Sequence, residues 1–327
     1  MVDKQTNNSP YTNLNFDFFE DIKRLKKEMN AVILAHYYQD DEIQEIADFI
    51  GDSLDLSRKA AETDADYIIF CGVKFMAEVA KILSPEKTVL LPDLKAGCSL
   101  EDSCPPEEFK KFREANPDHI ALTYINCSAE IKALSDIIVT SSCADKIVEQ
   151  IPQDQKIIFA PDKHLGAYLS KKLNREMLLW QGTCIVHEQF NEKEVVKLKN
   201  QNPNAKVIAH PECPEVLLNY ADHVGSTRSL LNYTIEHGKE EGAEFIVLTE
   251  AGIIHQMQKH SPDAKFFAVS GLGQAGCEMC NNCPYMRLNT IEKLHACMAN
   301  KTPEIKMDED LRLKAKASLD RMLEMSK

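Results

Sequence analysis

No stretch of the 327 residues approaches the ~20 consecutive apolar positions of a membrane-spanning helix, so no transmembrane segment is predicted. Basic runs are also missing, and the formal net charge is −13. That balance argues against nucleic acid or an anionic membrane as partner. The first thirty residues are polar and charged and lack the apolar core of a secretory signal. Eleven cysteines in such a chain fit a reducing cytoplasm better than a disulfide scaffold. A second Cys-x2-Cys pair is absent as well, which weakens any zinc-knuckle reading of the pair that does occur.

With 44% hydrophobic and 27% charged residues, the chain has the composition for a large core and the length for two or three domains. Residues 1–15, rich in Asn and Thr, are expected to be disordered. The most pointed local feature is Gly276-Cys277-Glu278-Met279-Cys280-Asn281-Asn282-Cys283-Pro284. Three cysteines at this spacing suit an iron–sulfur centre, with a reduced surface loop as the bland alternative. Further ligands have to come from single cysteines elsewhere.

Strand and helix patterns alternate along the chain and then return. Apolar strands are expected at Ala31 to Ala35, Ile120 to Thr123 and Ala205 to Ala209, each ending in a polar cluster. These clusters are His36 with Tyr38, Tyr124 with Asn126, and His210 with Glu212. A helix is expected from Asp41 to Phe49. His36 to Asp48, Tyr124 to Asp136 and His210 to Asp222 are all 12 positions, and the steps to Ser53, Ser141 and Thr227 are all 17. The anchors lie 88 and 86 residues apart. The chain therefore reads as α/β: three homologous units, each a small parallel sheet flanked by helices, spanning 30–115, 116–202 and 203–300. Segments 1–29 and 301–327 are expected to pack on them.

Ligands of parallel α/β units bind beyond the carboxyl ends of the strands, where these polar residues collect. Ser53, Ser141 and Ser226-Thr227 precede expected helices, as N-caps or as anion cradles. Cys98 and Cys184 follow 62 and 60 positions after their anchors. In the third unit Cys277 lies at 67 and Cys283 at 73, so spacing alone favours Cys277. Three thiolates around a common axis would leave one iron of a cluster open to substrate.

The motifs His36-Tyr37-Tyr38-Gln39, Gly51-Asp52-Ser53, Tyr124-Ile125-Asn126, Gly182-Thr183-Cys184-Ile185-Val186-His187, His210-Pro211-Glu212-Cys213-Pro214 and Gly225-Ser226-Thr227, with Cys98 and the final cysteine run, resemble the quinolinate synthase family over about residues 30–300. The resemblance implies three α/β/α units in pseudo-threefold arrangement around a central site. It implies a 4Fe–4S cluster on Cys98, Cys184 and Cys283, since members differ in whether they carry the full run or only its last cysteine. It implies condensation of iminoaspartate with dihydroxyacetone phosphate to quinolinate in NAD biosynthesis, with L-aspartate oxidase, the supplier of iminoaspartate, as a candidate partner. By the same resemblance His36, Ser53, Tyr124, Asn126, Ser141, Ser226 and Thr227 hold carboxylate and phosphate groups. Tyr38, His210 and Glu212 handle protons, the last two also touching substrate.

Two other readings use the same residues. Cys98, Cys184 and His187 could hold a hydrolytic zinc with Glu212 as base. An iron–sulfur redox sensor could use the cysteines alone, but it would not need the polar strand ends. Cys104 is a sequence-near rival of Cys98. Glu250, at a strand end with His255 one helical turn on, fits a site role and a structural one equally. Gly271-x-Gly273-x2-Gly276 has dinucleotide-loop spacing without the βαβ context and reads as a loop.

Overall fold

The computed structural model describes residues 17–271 and 281–327. The expectations for residues 1–15, for Gly273 and Gly276, and for Cys277 and Cys280 lie outside the described residues.

Twelve parallel strands form three four-stranded sheets among the described residues. The first holds β1 (Ala31–His36), β2 (Phe49–Gly51), β3 (Tyr67–Cys71) and β4 (Thr88–Leu90). The second holds β5 (His119–Tyr124), β6 (Ile137–Val139), β7 (Lys156–Ala160) and β8 (Leu178–Leu179). The third holds β9 (Lys206–Ala209), β10 (His223–Val224), β11 (Glu244–Leu248) and β12 (Lys265–Ala268). The order is the same in each: β2-β1-β3-β4, β6-β5-β7-β8 and β10-β9-β11-β12. Winding reverses between the first and third strands of every sheet, which opens a crevice at their carboxyl ends.

The strands are apolar throughout because both faces are covered. Val32, Leu34, Ile68 and Phe70 point to one side, against Leu54, Leu56 and Phe75 of the helices Ser53–Glu62 and Lys74–Leu83. Ile33, Ala35, Ile69 and Cys71 point to the other, against Ile22, Leu25 and Met29 of the helix Phe18–Met29. The helix Ile291–Asn300 completes that second layer through Ile291, Leu294 and Met298. The last helix of the stretch 203–300 thus packs on the first sheet. After β12 the described residues add no further strand, and the amphipathic helix Ile291–Asn300 covers the open face of the first sheet. The last helix, Glu309–Met325, packs on the second unit, where Ser318 donates to the Lys132 carbonyl at 2.8 Å.

The helix expected from Asp41 to Phe49 stops at Ile46, and Phe49–Gly51 is an edge strand instead. Asp48 causes the change. Its backbone N–H donates to Ile33 O at 2.9 Å and its Oδ2 accepts from Ile33 N at 2.9 Å. Asp136 clasps Ala121 in the same two-bond way, at 3.0 and 2.7 Å, and Asp222 clasps Val207 at 2.8 and 2.8 Å. The aspartates that mark the repeat therefore build strands rather than chemistry. Asp136→Ala leaves the fully buried Ala121 without this acceptor, and should destabilise the chain by about 1–3 kcal/mol. The measurement is the urea midpoint, with Asp136→Asn expected between the two. An unchanged midpoint in the alanine variant would remove the clasp from the account.

Candidate active site

The carboxyl ends of β1, β5 and β9 converge on one cavity of about 720 Å³, counting the part open to solvent. His36 and Tyr38 reach it from the first unit, Tyr124 and Asn126 from the second, His210 and Glu212 from the third. Ser53, Ser141 and Thr227 line it too. Ser226 does not belong to the wall: its hydroxyl accepts the Ser229 N–H at 3.2 Å and caps the helix Thr227–His237. The capping expected of Ser53 falls to its neighbour Asp52, whose Oδ1 accepts from Leu54 N and Asp55 N at 3.0 Å each. Ser141 caps no helix either; its hydroxyl lies 3.2 Å from His210 Nε2.

Glu212 is the hub of the polar wall. Tyr124 donates its hydroxyl to Glu212 Oε1 at 2.6 Å, and His187 Nδ1 lies 2.9 Å from Oε2. His187 Nε2 is 3.0 Å from the Thr249 hydroxyl, which is 2.8 Å from the Tyr38 hydroxyl, itself 3.0 Å from Thr227 Oγ1. His210 stacks on His187 with ring centres 4.9 Å apart. Burial raises the Glu212 carboxyl, but His187, then His210 and the Tyr124 hydrogen bond outweigh it and hold the group below the usual carboxylate range. Burial lowers His36 to about 3 and His210 to about 4, so both rings are neutral at pH 7. As pH falls below about 6.5 the unfolded chain takes up protons that these two rings refuse, and their contribution then turns against the fold.

Cys98, Cys184 and Cys283 line the same cavity. Cys98 and Cys184 each stand at the N-cap of a four-residue helix, Ser99–Asp102 and Ile185–Glu188. Cys283 precedes the 3-10 turn Met286–Leu288. Backbone N–H groups address each sulfur: those of Glu101 and Leu100 for Cys98, of His187 for Cys184, and of Met286 and Tyr285 for Cys283. Burial raises all three thiols, Cys283 to about 11. As thiolates they need a cation among them; the amides favour the charged form, joined at Cys283 by the Arg287 charge. Cys104 is buried beneath this layer and is not part of the wall.

Glu250 supports the third cysteine. Its Oε1 accepts the Cys283 N–H at 3.0 Å and lies 3.2 Å from Arg287 Nη2, while Oε2 accepts from Gly252 N at 2.7 Å. Arg287 also pairs with Asp40 of the first unit. Burial raises Glu250 to about 7 and Arg287 offsets part of that rise. His255 turns away and pairs with Glu45 at 2.8 Å.

His187 entered the sequence reading within a family motif and as a zinc ligand, and Thr249 only as the end of an expected strand. Thr249 and Glu250 follow β11, which lies beside β9, so the order of strands in the sheet brings them to the crevice. Cys184, His187 and Glu212 also offer ligand atoms within 4.8 Å of one another.

Residues 20–324 match the family model described as quinolinate synthetase A protein. The quinolinate synthase of Chloroherpeton thalassium is 61% identical over 311 residues, 95% of this chain and 95% of that protein. That of Ehrlichia chaffeensis is 59% identical over 307 residues, covering 94% and 97%. That of Synechocystis sp. is 58% identical over 317 residues, covering 97% and 98%. The matched stretch runs through all three sheets and takes in each cavity residue described above, and the chain belongs to the quinolinate synthase family.

Proposed function

We propose that the chain condenses iminoaspartate with dihydroxyacetone phosphate to quinolinate, with loss of phosphate and water, on a 4Fe–4S cluster held by Cys98, Cys184 and Cys283. The observation that carries the reading is the meeting of three partly buried thiols with the polar strand ends of all three units in one cavity. The donor set fits such a cluster: three soft ligands, each addressed by backbone amides, with an adjoining space for a small ligand. When bound, the cluster would supply a Lewis-acidic iron.

The remaining work falls to the chain's own side chains. Asn126 Oδ1 is buried without a partner among the described residues, so its amide is set to meet a ligand. Ser53 and Thr227 stand in the first turns of the helices Ser53–Glu62 and Thr227–His237, whose N-termini favour the carboxylate and phosphate groups of both substrates. His36, neutral and buried, presents a ring that does not add charge. Glu212 takes protons at its carboxylate, and Tyr38 and Tyr124 donate or accept at their hydroxyls. Buried walls keep water away from these transfers.

The convergence of Cys184, His187 and Glu212 favours a zinc site as the second reading. His187 Nε2 already meets the Thr249 hydroxyl at 3.0 Å, so zinc binding through that nitrogen means breaking this contact. Protein purified without oxygen decides between them. The proposal expects brown protein with about four iron and four sulfide per chain that forms quinolinate from the two substrates. Colourless, inactive protein with one zinc per chain overturns it.

A further inference from the structure

We propose that Lys132 is a positioning residue that fixes the turn carrying Asn126 and so sets where that amide meets substrate. The inference rests on reading the cavity as the substrate site. Asn126 lines the cavity, and no hydrogen bond among the described residues holds its buried Oδ1. Its direction therefore comes from the backbone on either side. That backbone is a tight turn after β5. Ile125 N donates to Val139 O of β6 at 2.9 Å, and Cys127 N donates back to Ile125 O at 2.8 Å. Ser128 then caps the helix Ala129–Ala133, its hydroxyl accepting from Ile131 N at 3.4 Å.

Lys132 lies on that helix and reaches back to the turn. Its ammonium donates to Ile125 O at 3.0 Å and to Cys127 O, the carbonyls of the two residues that flank Asn126. Nζ is also 3.8 Å from Cys127 Sγ and 5.3 Å from the centre of the Phe75 ring. Phe75 comes from the first unit and lines the same cavity. One side chain thus joins the Asn126 turn to a wall residue of the neighbouring unit.

Lys132 is fully buried, and burying an ammonium is costly. The Glu101 carboxylate is near enough to feel its charge, yet the atoms that meet the ammonium are carbonyls, a sulfur and a ring. A methionine would fill a similar volume without the cost, so packing does not account for the charge. What the charge adds is donors. An ammonium carries several, and its charge strengthens each bond to a carbonyl. Drawing both flanking carbonyls to one point holds the turn, and with it the amide that enters the cavity. Without Lys132 the Cys127 carbonyl loses this donor, and the turn shifts to find another.

Lys132→Met keeps the length of the side chain and removes the donors. Lys132→Gln keeps neutral donors on a stem one bond shorter and should fall between. In full-length chain labelled with 15N asparagine and purified without iron, the side-chain amide pair of Asn126 is identified by its loss in Asn126→Asp. That pair is expected to move or broaden in Lys132→Met. The pair of Asn202, which donates to Leu198 O in the third unit and is identified likewise, should stay in place. With the loaded enzyme, Lys132→Met is expected to lower kcat/KM about tenfold, chiefly through KM, at unchanged iron content. In an Asn126→Ala background the same change should cost less than about twofold, because Lys132 acts through Asn126. An Asn126 pair that stays in place, losses that multiply in the double variant, or a fall in kcat together with iron overturns the inference. If the methionine variant does not fold, the glutamine variant carries the same two measurements. Absence of quinolinate formation by the unaltered enzyme sinks the functional reading, and the amide pair alone then decides whether Lys132 positions Asn126.

Discussion

Replacing any one of Cys98, Cys184 or Cys283 by alanine is expected to leave anaerobically purified protein with less than about a tenth of the normal iron and no detectable quinolinate formation. Each thiol sits at the start of its own short turn, on a different unit or loop, with its own backbone donors. None of the three can stand in for another, and two thiolates hold a four-iron cluster too weakly to survive purification. The chain itself should stay folded, since all three are only partly buried and lie on the wall of a cavity rather than inside a core. Alanine at Cys104 or Cys297 is the control: both are buried among apolar groups away from the wall and should keep iron. Cys277→Ala and Cys280→Ala are expected to keep the cluster as well. Full iron in Cys283→Ala, together with loss in Cys277→Ala, would show that the repeat spacing had named the right cysteine after all.

That choice illustrates which parts of this molecule a sequence carries. The first strands were readable because β1, β5 and β9 are apolar on both faces and break sharply into His36, Tyr124 and His210. The repeat was readable because Asp48, Asp136 and Asp222 keep one spacing, though the spacing says nothing about what they do. It is preserved by a clasp between an edge strand and its neighbour, a pairing of residues 15 apart that no local pattern announces. The edge strands themselves, two or three residues long, escaped for the same reason. Thr249 and His187 lay beyond reach because their role depends on strand order and on contacts 62 positions apart in sequence. Ser226 shows the ambiguity of a serine before a helix: its type suits an anion site and a cap alike, and here its oxygen accepts the capping N–H of Ser229.

Glu212→Gln is expected to keep fold, cluster and substrate affinity while lowering turnover by about a hundredfold or more, the usual scale for loss of a general base. Glutamine matches the shape of glutamate, and its carbonyl can still accept the Tyr124 hydroxyl. The substitution therefore removes the carboxylate that takes the proton while leaving its hydrogen-bond partner in place. In the resting site the Glu212 carboxylate is a weak base, because His187, His210 and Tyr124 stabilise its charge against the cost of burial. Its proton affinity rises when anionic substrates enter the cavity, since a like charge nearby disfavours the ionised carboxylate. Base strength then appears only with substrate in place. The measurement is initial-rate quinolinate formation by fully iron-loaded protein, with kcat and KM separated. A glutamine variant that turns over at near-normal rate removes Glu212 from the chemistry and moves the search for the base to Tyr38 and His210, which reach the cavity from the first and third units.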